Sequence, residues 1–120
     1  MVAMINILKI FCKKDPLKTK ILNIVKDIKK EVKPYCNEPF WIDWHGAYKI
    51  DPKYLAINVC TQTDKAKLEL SSNDKLKNKI TNLLAKHSYP VQARPLIHIG
   101  FESEETVKRE SNGNWYQHFK

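Results

Sequence analysis

The chain has 120 residues, 42% of them hydrophobic, and 21 Lys and Arg against 13 Asp and Glu give a formal net charge of +8. That length supports a single domain over residues 1–120, and that composition excludes a chain disordered throughout. Three glycines exclude collagen-like and Gly-rich repeats, and no apolar run approaches the roughly 18–20 residues that span a bilayer.

Residues 4–12 are rich in Ile, which fits a strand or a short N-terminal helix, since periodicity cannot separate the two at this length. No Lys or Arg precedes this apolar stretch, so a secretory signal is not expected there. Cys12, Cys36 and Cys60 form no CxxC pair, and buried free thiols in a reducing, cytoplasmic setting are expected. The first secure element is a helix over about 16–33. Asp15 is a suitable N-cap, Pro16 occupies the first helical position, and Leu17, Ile21, Ile24, Val25, Ile28 and Val32 recur at helical spacing. Pro34 ends it, because the residue before a proline avoids the α region.

Residues 38–44 form an aromatic stretch with strand propensity, and His45-Gly46 and Asp51-Pro52 then read as turns. Over residues 54–61, Leu55, Ile57 and Val59 alternate with Ala56, Asn58 and Cys60, a strand with one apolar face. Residues 64–72 fit either a strand or the start of a helix. Ser72, Asn73 and Asp74 offer caps for a second helix over about 74–87, whose stripe is Leu76, Ile80, Leu83, Leu84 and His87. Residues 96–101 read as the last central strand. The tail, 103–120, is expected to be an extension, a short helix or turn followed by a terminal strand, because Asn112-Gly113 is a hairpin signal before the aromatic residues 115–119.

Strand, helix, strand, strand, helix, strand is the order of a split-βαβ, ferredoxin-like sandwich. The expected fold class is therefore α+β: a two-layer sandwich with two amphipathic helices on one face of a mainly antiparallel sheet.

Chemistry-bearing patterns are sparse. No HExxH, no His/Cys pair at ligand spacing and no acidic cluster is present, so neither a metal nor a catalytic centre is expected. No glycine-rich phosphate loop or GxSxG elbow is present either, and no cofactor is implied. Asp43 and His45 share a strand face and could pair as acid and base, and His45, His118 and a lysine could compose a small nuclease or other hydrolase. His87, at the edge of a helical stripe, reads as a satisfied, partly buried histidine.

The charge is more informative. Residues 1–33 carry +6 and residues 64–94 carry +4, while the other two stretches carry −1 each. Lys18, Lys26, Lys29, Lys30 and Lys33 fall on one arc of the first helix, with Lys75 and Lys79 along an edge of the second. Such faces favour a partner of negative potential. Trp41, Trp44, Trp115 and Tyr116 complete the candidate contact set, since Trp and Tyr are enriched in binding hot spots. On these grounds the expected function is a non-catalytic protein-binding module for an acidic partner. The alternative is a nucleic-acid binder that uses the basic helix faces and stacks bases on aromatic rings, although the RNP1-type signature is absent from both inner strands.

The size, the lone α+β domain, the Lys/Asn/Ile-rich composition and the closing segment Gly113-Asn114-Trp115-Tyr116 resemble small bacterial immunity proteins. The resemblance implies stoichiometric neutralisation of a cognate toxin, with no catalytic residues. Inhibitors of nucleases tend to be acidic whereas this chain is basic, so the implied target is an acidic toxin domain.

Overall fold

The computed structural model describes residues 15–119; the expectations for residues 1–12, Cys12 included, lie outside the described residues. Helix α1 spans Pro16–Val32, followed by a 3-10 turn at Lys33–Tyr35 and strand β1, Phe40–His45. A second 3-10 turn, Pro52–Tyr54, leads into β2, Ala56–Thr61. Helices α2, Asp64–Ser71, and α3, Asp74–Lys86, carry the chain across to β3, His98–Ser103. Two further helices close it, α4 at Glu104–Ser111 and α5 at Trp115–His118.

The strand order is β1-β2-β3, antiparallel between β1 and β2 and parallel between β2 and β3. The sheet is thus mixed rather than mainly antiparallel. Parallel neighbours cannot be joined by a tight turn and need a long crossover, here supplied by α2 and α3. A split βαβ would keep another strand between these two; here they are direct hydrogen-bonded neighbours.

The α1 stripe behaves as its spacing predicts. Ile21, Ile24, Ile28 and Val32 are fully buried, and the Asp15 carboxylate accepts the Lys18 amide at 3.0 Å. In α3, Leu76, Ile80, Leu83 and Leu84 are buried and Asn73 caps the start. Both stripes share one core with Ile57 and Val59 of β2, against which Phe40, Ile42 and Trp44 of β1 and Ile99 and Phe101 of β3 also pack. These residues alternate along their strands and face one another in register, so α1 and α3 cover one face of the sheet. Asp27 of α1 meets His87 at 2.7 Å and Lys86 at 3.0 Å, while Glu31 meets Lys79 at 3.9 Å. Partners fall in number as α1 rises, so the two helices run antiparallel. His87 is a satisfied histidine, as expected.

Residues 64–72 resolve as a helix because Thr63 caps it, its hydroxyl accepting the Ala66 amide at 3.2 Å. Among the described residues the tail contains no terminal strand. Asn112 takes a left-handed conformation (φ 51°) that ends α4, and Asn114 caps α5 by accepting the Gln117 amide at 3.0 Å. These local caps outweigh the β propensity of the aromatic residues.

Tyr89 lies beyond α3 and is fully buried, its hydroxyl donating to the Pro52 carbonyl at 2.7 Å. Burial pushes the phenol up to about 12. Tyr89→Phe leaves that carbonyl without its donor, and a loss of about 1–2 kcal/mol is expected in urea unfolding.

Candidate functional site

Because side chains alternate along a strand, the sheet has a second face, and its residues form three rows in register. Trp41 stands beside Cys60 and Glu102, Asp43 beside Asn58 and Gly100, and His45 beside Ala56 and His98. Helix α5 lies over the β1 side of this face. Trp115 meets Trp41 edge-on, with ring centres 5.4 Å apart, and Phe119 lies 5.3 Å from His45. Between strand and helix runs a groove of about 470 Å³ lined by Trp41, Asp43, His45, Trp115, Tyr116 and Phe119.

A partly buried network holds α5 in place. His118 meets a Glu102 oxygen at 2.6 Å through Nε2 and the Ser111 hydroxyl at 3.0 Å through Nδ1. The other Glu102 oxygen accepts from Lys67 at 2.7 Å and from the Ser103 amide at 3.0 Å. Burial alone pushes Glu102 up, but the hydrogen bonds from Lys67, His118 and Ser103 outweigh it and hold the carboxyl below its ordinary range. Nothing in the spacing of these residues announces the network; only His118 stood out in the sequence.

Ser111, His118 and Glu102 have the connectivity of a nucleophile, a base and an orienting carboxylate, but their setting opposes that chemistry. The His118 side chain is only 11% exposed. Ser111 closes α4, where the negative end of the helix dipole disfavours a developing oxyanion. Asp43 and His45 do pair, at 3.3 Å with both side chains 42% exposed, a long and solvated contact. His118 spends Nε2 on Glu102 and Nδ1 on Ser111, which leaves neither ring nitrogen free to act beside His45 as a nuclease pair would require. Cys60 is fully buried. Burial, then the Asp43 carboxylate, pushes its thiol up to about 12, which leaves it protonated and unreactive. Cys36 is only partly buried. Among the described residues, no cluster of three or more His, Cys, Asp or Glu is placed to hold a metal, and no helix is long and apolar enough to cross a membrane.

The candidate contact residues divide between two surfaces. Trp41, Trp115 and Tyr116 meet in the groove. Trp44 points to the other face, where it packs on the core and lies 5.9 Å from Tyr48. The lysines belong to the helix layer. Lys18, Lys26, Lys29, Lys30, Lys33 and Lys75 are exposed and pair with no carboxylate among the described residues. Lys79 makes only the loose contact with Glu31. Lys29, Lys30 and Lys33 line a second groove of about 500 Å³ with Pro39 and Phe40. The Glu38 carboxylate also borders that groove. It accepts from the Gln62 and Thr63 amides and the Thr63 hydroxyl at 2.6–2.9 Å. It is engaged with protein donors and does not answer the lysines.

No protein-family model, curated protein or solved structure matches this chain.

Proposed function

We propose that this chain is a non-catalytic protein-binding module whose partner presents an acidic surface to the lysines of α1 and α3. One observation carries the reading. Lys29, Lys30 and Lys33 converge on a groove that Pro39 and Phe40 also line, and they have no internal counterion among the described residues, the bordering Glu38 being held by Gln62 and Thr63. Ammonium groups left unpaired, beside a Pro and a Phe, provide both steering charge and a surface to bury. The finer form of the proposal is neutralisation of a toxin domain of the kind bound by immunity proteins, the acidic domain docking on this lysine groove.

The arrangement also weighs against nucleic-acid binding. Single-strand binders place their stacking rings inside the basic track, whereas here Trp41 and Trp115 lie on the sheet face opposite α1 and α3. The test is co-purification from the native source, with wild type beside the triple variant Lys29→Glu, Lys30→Glu, Lys33→Glu. All three sites are exposed, so the variant is expected to fold. Wild type should recover one dominant acidic protein in stoichiometric amount, released by salt. The variant should lose it, with association slowed at least about tenfold at low ionic strength. Equal recovery by the variant, or recovery of nuclease-sensitive material alone, rejects the reading.

A further inference from the structure

We propose that the aromatic groove between β1 and α5 is a binding site for a small organic cation, a protonated or quaternary amine with apolar substituents. The site is separate from the lysine surface, and the inference does not depend on the identity of a protein partner.

The groove's volume of about 470 Å³ lies within the roughly 300–1,000 Å³ usual for small-ligand sites. Its walls are mainly aromatic: Trp41 from the sheet, and Trp115, Tyr116 and Phe119 from α5 and its end. Aromatic faces carry negative electrostatic potential and attract cations, ammonium ions with methyl substituents above all. Its polar groups are Asp43 and His45. Asp43 spends one oxygen on the long contact to His45 and is 42% exposed, so its other oxygen is open to an ammonium group. An anion would meet that carboxylate with repulsion, and a neutral apolar ligand would have no use for it. A cation with apolar substituents uses both the rings and the charge.

The positive charge of the molecule as a whole does not decide the sign here. Lys18, Lys26, Lys29, Lys30 and Lys75 stand on α1 and α3, across the sheet, and a helix layer packed on a sheet puts its outer groups farther off than the roughly 8 Å screening length at physiological salt, while the exposed Lys65 of α2 and Lys108 of α4 line no part of the groove. On the groove side, Glu102 holds Lys67 and His118 in its own network, which keeps those two donors engaged.

Choline and its neutral isostere 3,3-dimethylbutan-1-ol serve as probes, since they share shape and differ in charge. Each is titrated at pH 8 and 0.15 M salt into the full chain, with the three indole N–H resonances followed by NMR. Choline should shift the Trp41 and Trp115 signals saturably and leave Trp44 in place, because Trp44 faces the core. The isostere should bind about five- to thirtyfold more weakly. Asp43→Asn, at an exposed position, should weaken choline binding several-fold, and Trp115→Ala should abolish the Trp41 response. Trp41→Phe, which keeps a ring, should retain most of the affinity. Equal binding of the isostere would show an apolar groove with no preference for charge and overturn the proposal. So would the absence of a saturable shift at tens of millimolar choline, or an unchanged affinity in Asp43→Asn.

Discussion

Replacing Glu102 with alanine is expected to cost about 2–3 kcal/mol and to free α5 from the sheet. Removing one member of a buried ion network leaves the others desolvated and unpaired, which costs about 3–5 kcal/mol when burial is complete. Here the Glu102 and His118 side chains are 13% and 11% exposed, but Lys67 is 29% exposed and can turn to water; the lower figure follows. A fall in melting temperature on the order of 10 °C is expected. The same variant should redshift tryptophan emission, because Trp115 loses its contact with Trp41 once His118 no longer anchors the helix. A thermal shift without a spectral change would mean that α5 is held by its rings alone.

The contribution of Glu102 depends on pH with a definite sign. Its folded value is held below the ordinary one, so the stabilisation is complete above the ordinary glutamate value of about 4.3 and is lost as pH falls through the folded value. Asp64 acts in the same direction. Hydrogen bonds from Ser103 and Thr106, then from Arg109, hold its carboxyl far below the usual range. Asp27 is lowered as well, first by its hydrogen bond with His87 and then by Lys86. Acid unfolding is therefore expected to steepen below about pH 4, and the Glu102→Ala variant should show a shallower dependence than wild type.

How legible this molecule was depended on the range of the interactions. The stripes of α1 and α3 and the alternation in β2 record burial directly, so the residues facing the core could be read from their spacing. Asp43 and His45 shared a face for the same reason. Residues 64–72 were ambiguous because Leu68 and Leu70 fit either period, and the Thr63 cap decided the outcome. The tail misled because aromatic residues after Asn-Gly carry the signature of a hairpin. Two asparagines instead ended one helix and began the next. The pairing of α5 with β1 was not legible: it depends on His118 reaching Glu102, sixteen residues back on another element. Residue type groups the three tryptophans, whereas strand parity sends Trp41 and Trp44 to opposite faces of the sheet. The lysine arc of α1 keeps no carboxylate partner among the described residues even though Asp27 and Glu31 share that helix, because Asp27 is held by His87 and Lys86 and Glu31 faces Lys79, contacts between helices that spacing along one helix does not reveal.

The largest single-residue effect is expected at Ile57. It lies in the central strand, fully buried, with Trp44 beside it on β1 and Ile99 on β3. Neighbours on two strands and a helix layer above restrict collapse around a shortened side chain, so Ile57→Ala should cost about 3–4 kcal/mol from lost transfer energy and the residual cavity. Ile57→Val removes one methylene and should cost about 1 kcal/mol. Ile50→Ala is the control: that side chain is 81% exposed in the turn after β1, and its loss should fall within about 0.5 kcal/mol. Urea unfolding with an unchanged slope would attribute all three shifts to native-state packing. The comparison also tests the division of the sheet into two faces. If Ile57 supports only the helix side, Ile57→Val should leave choline binding in the groove unchanged. A coupled loss would mean that the sheet transmits core packing to the aromatic face, and that β2 positions the groove as well as separating it from the lysines.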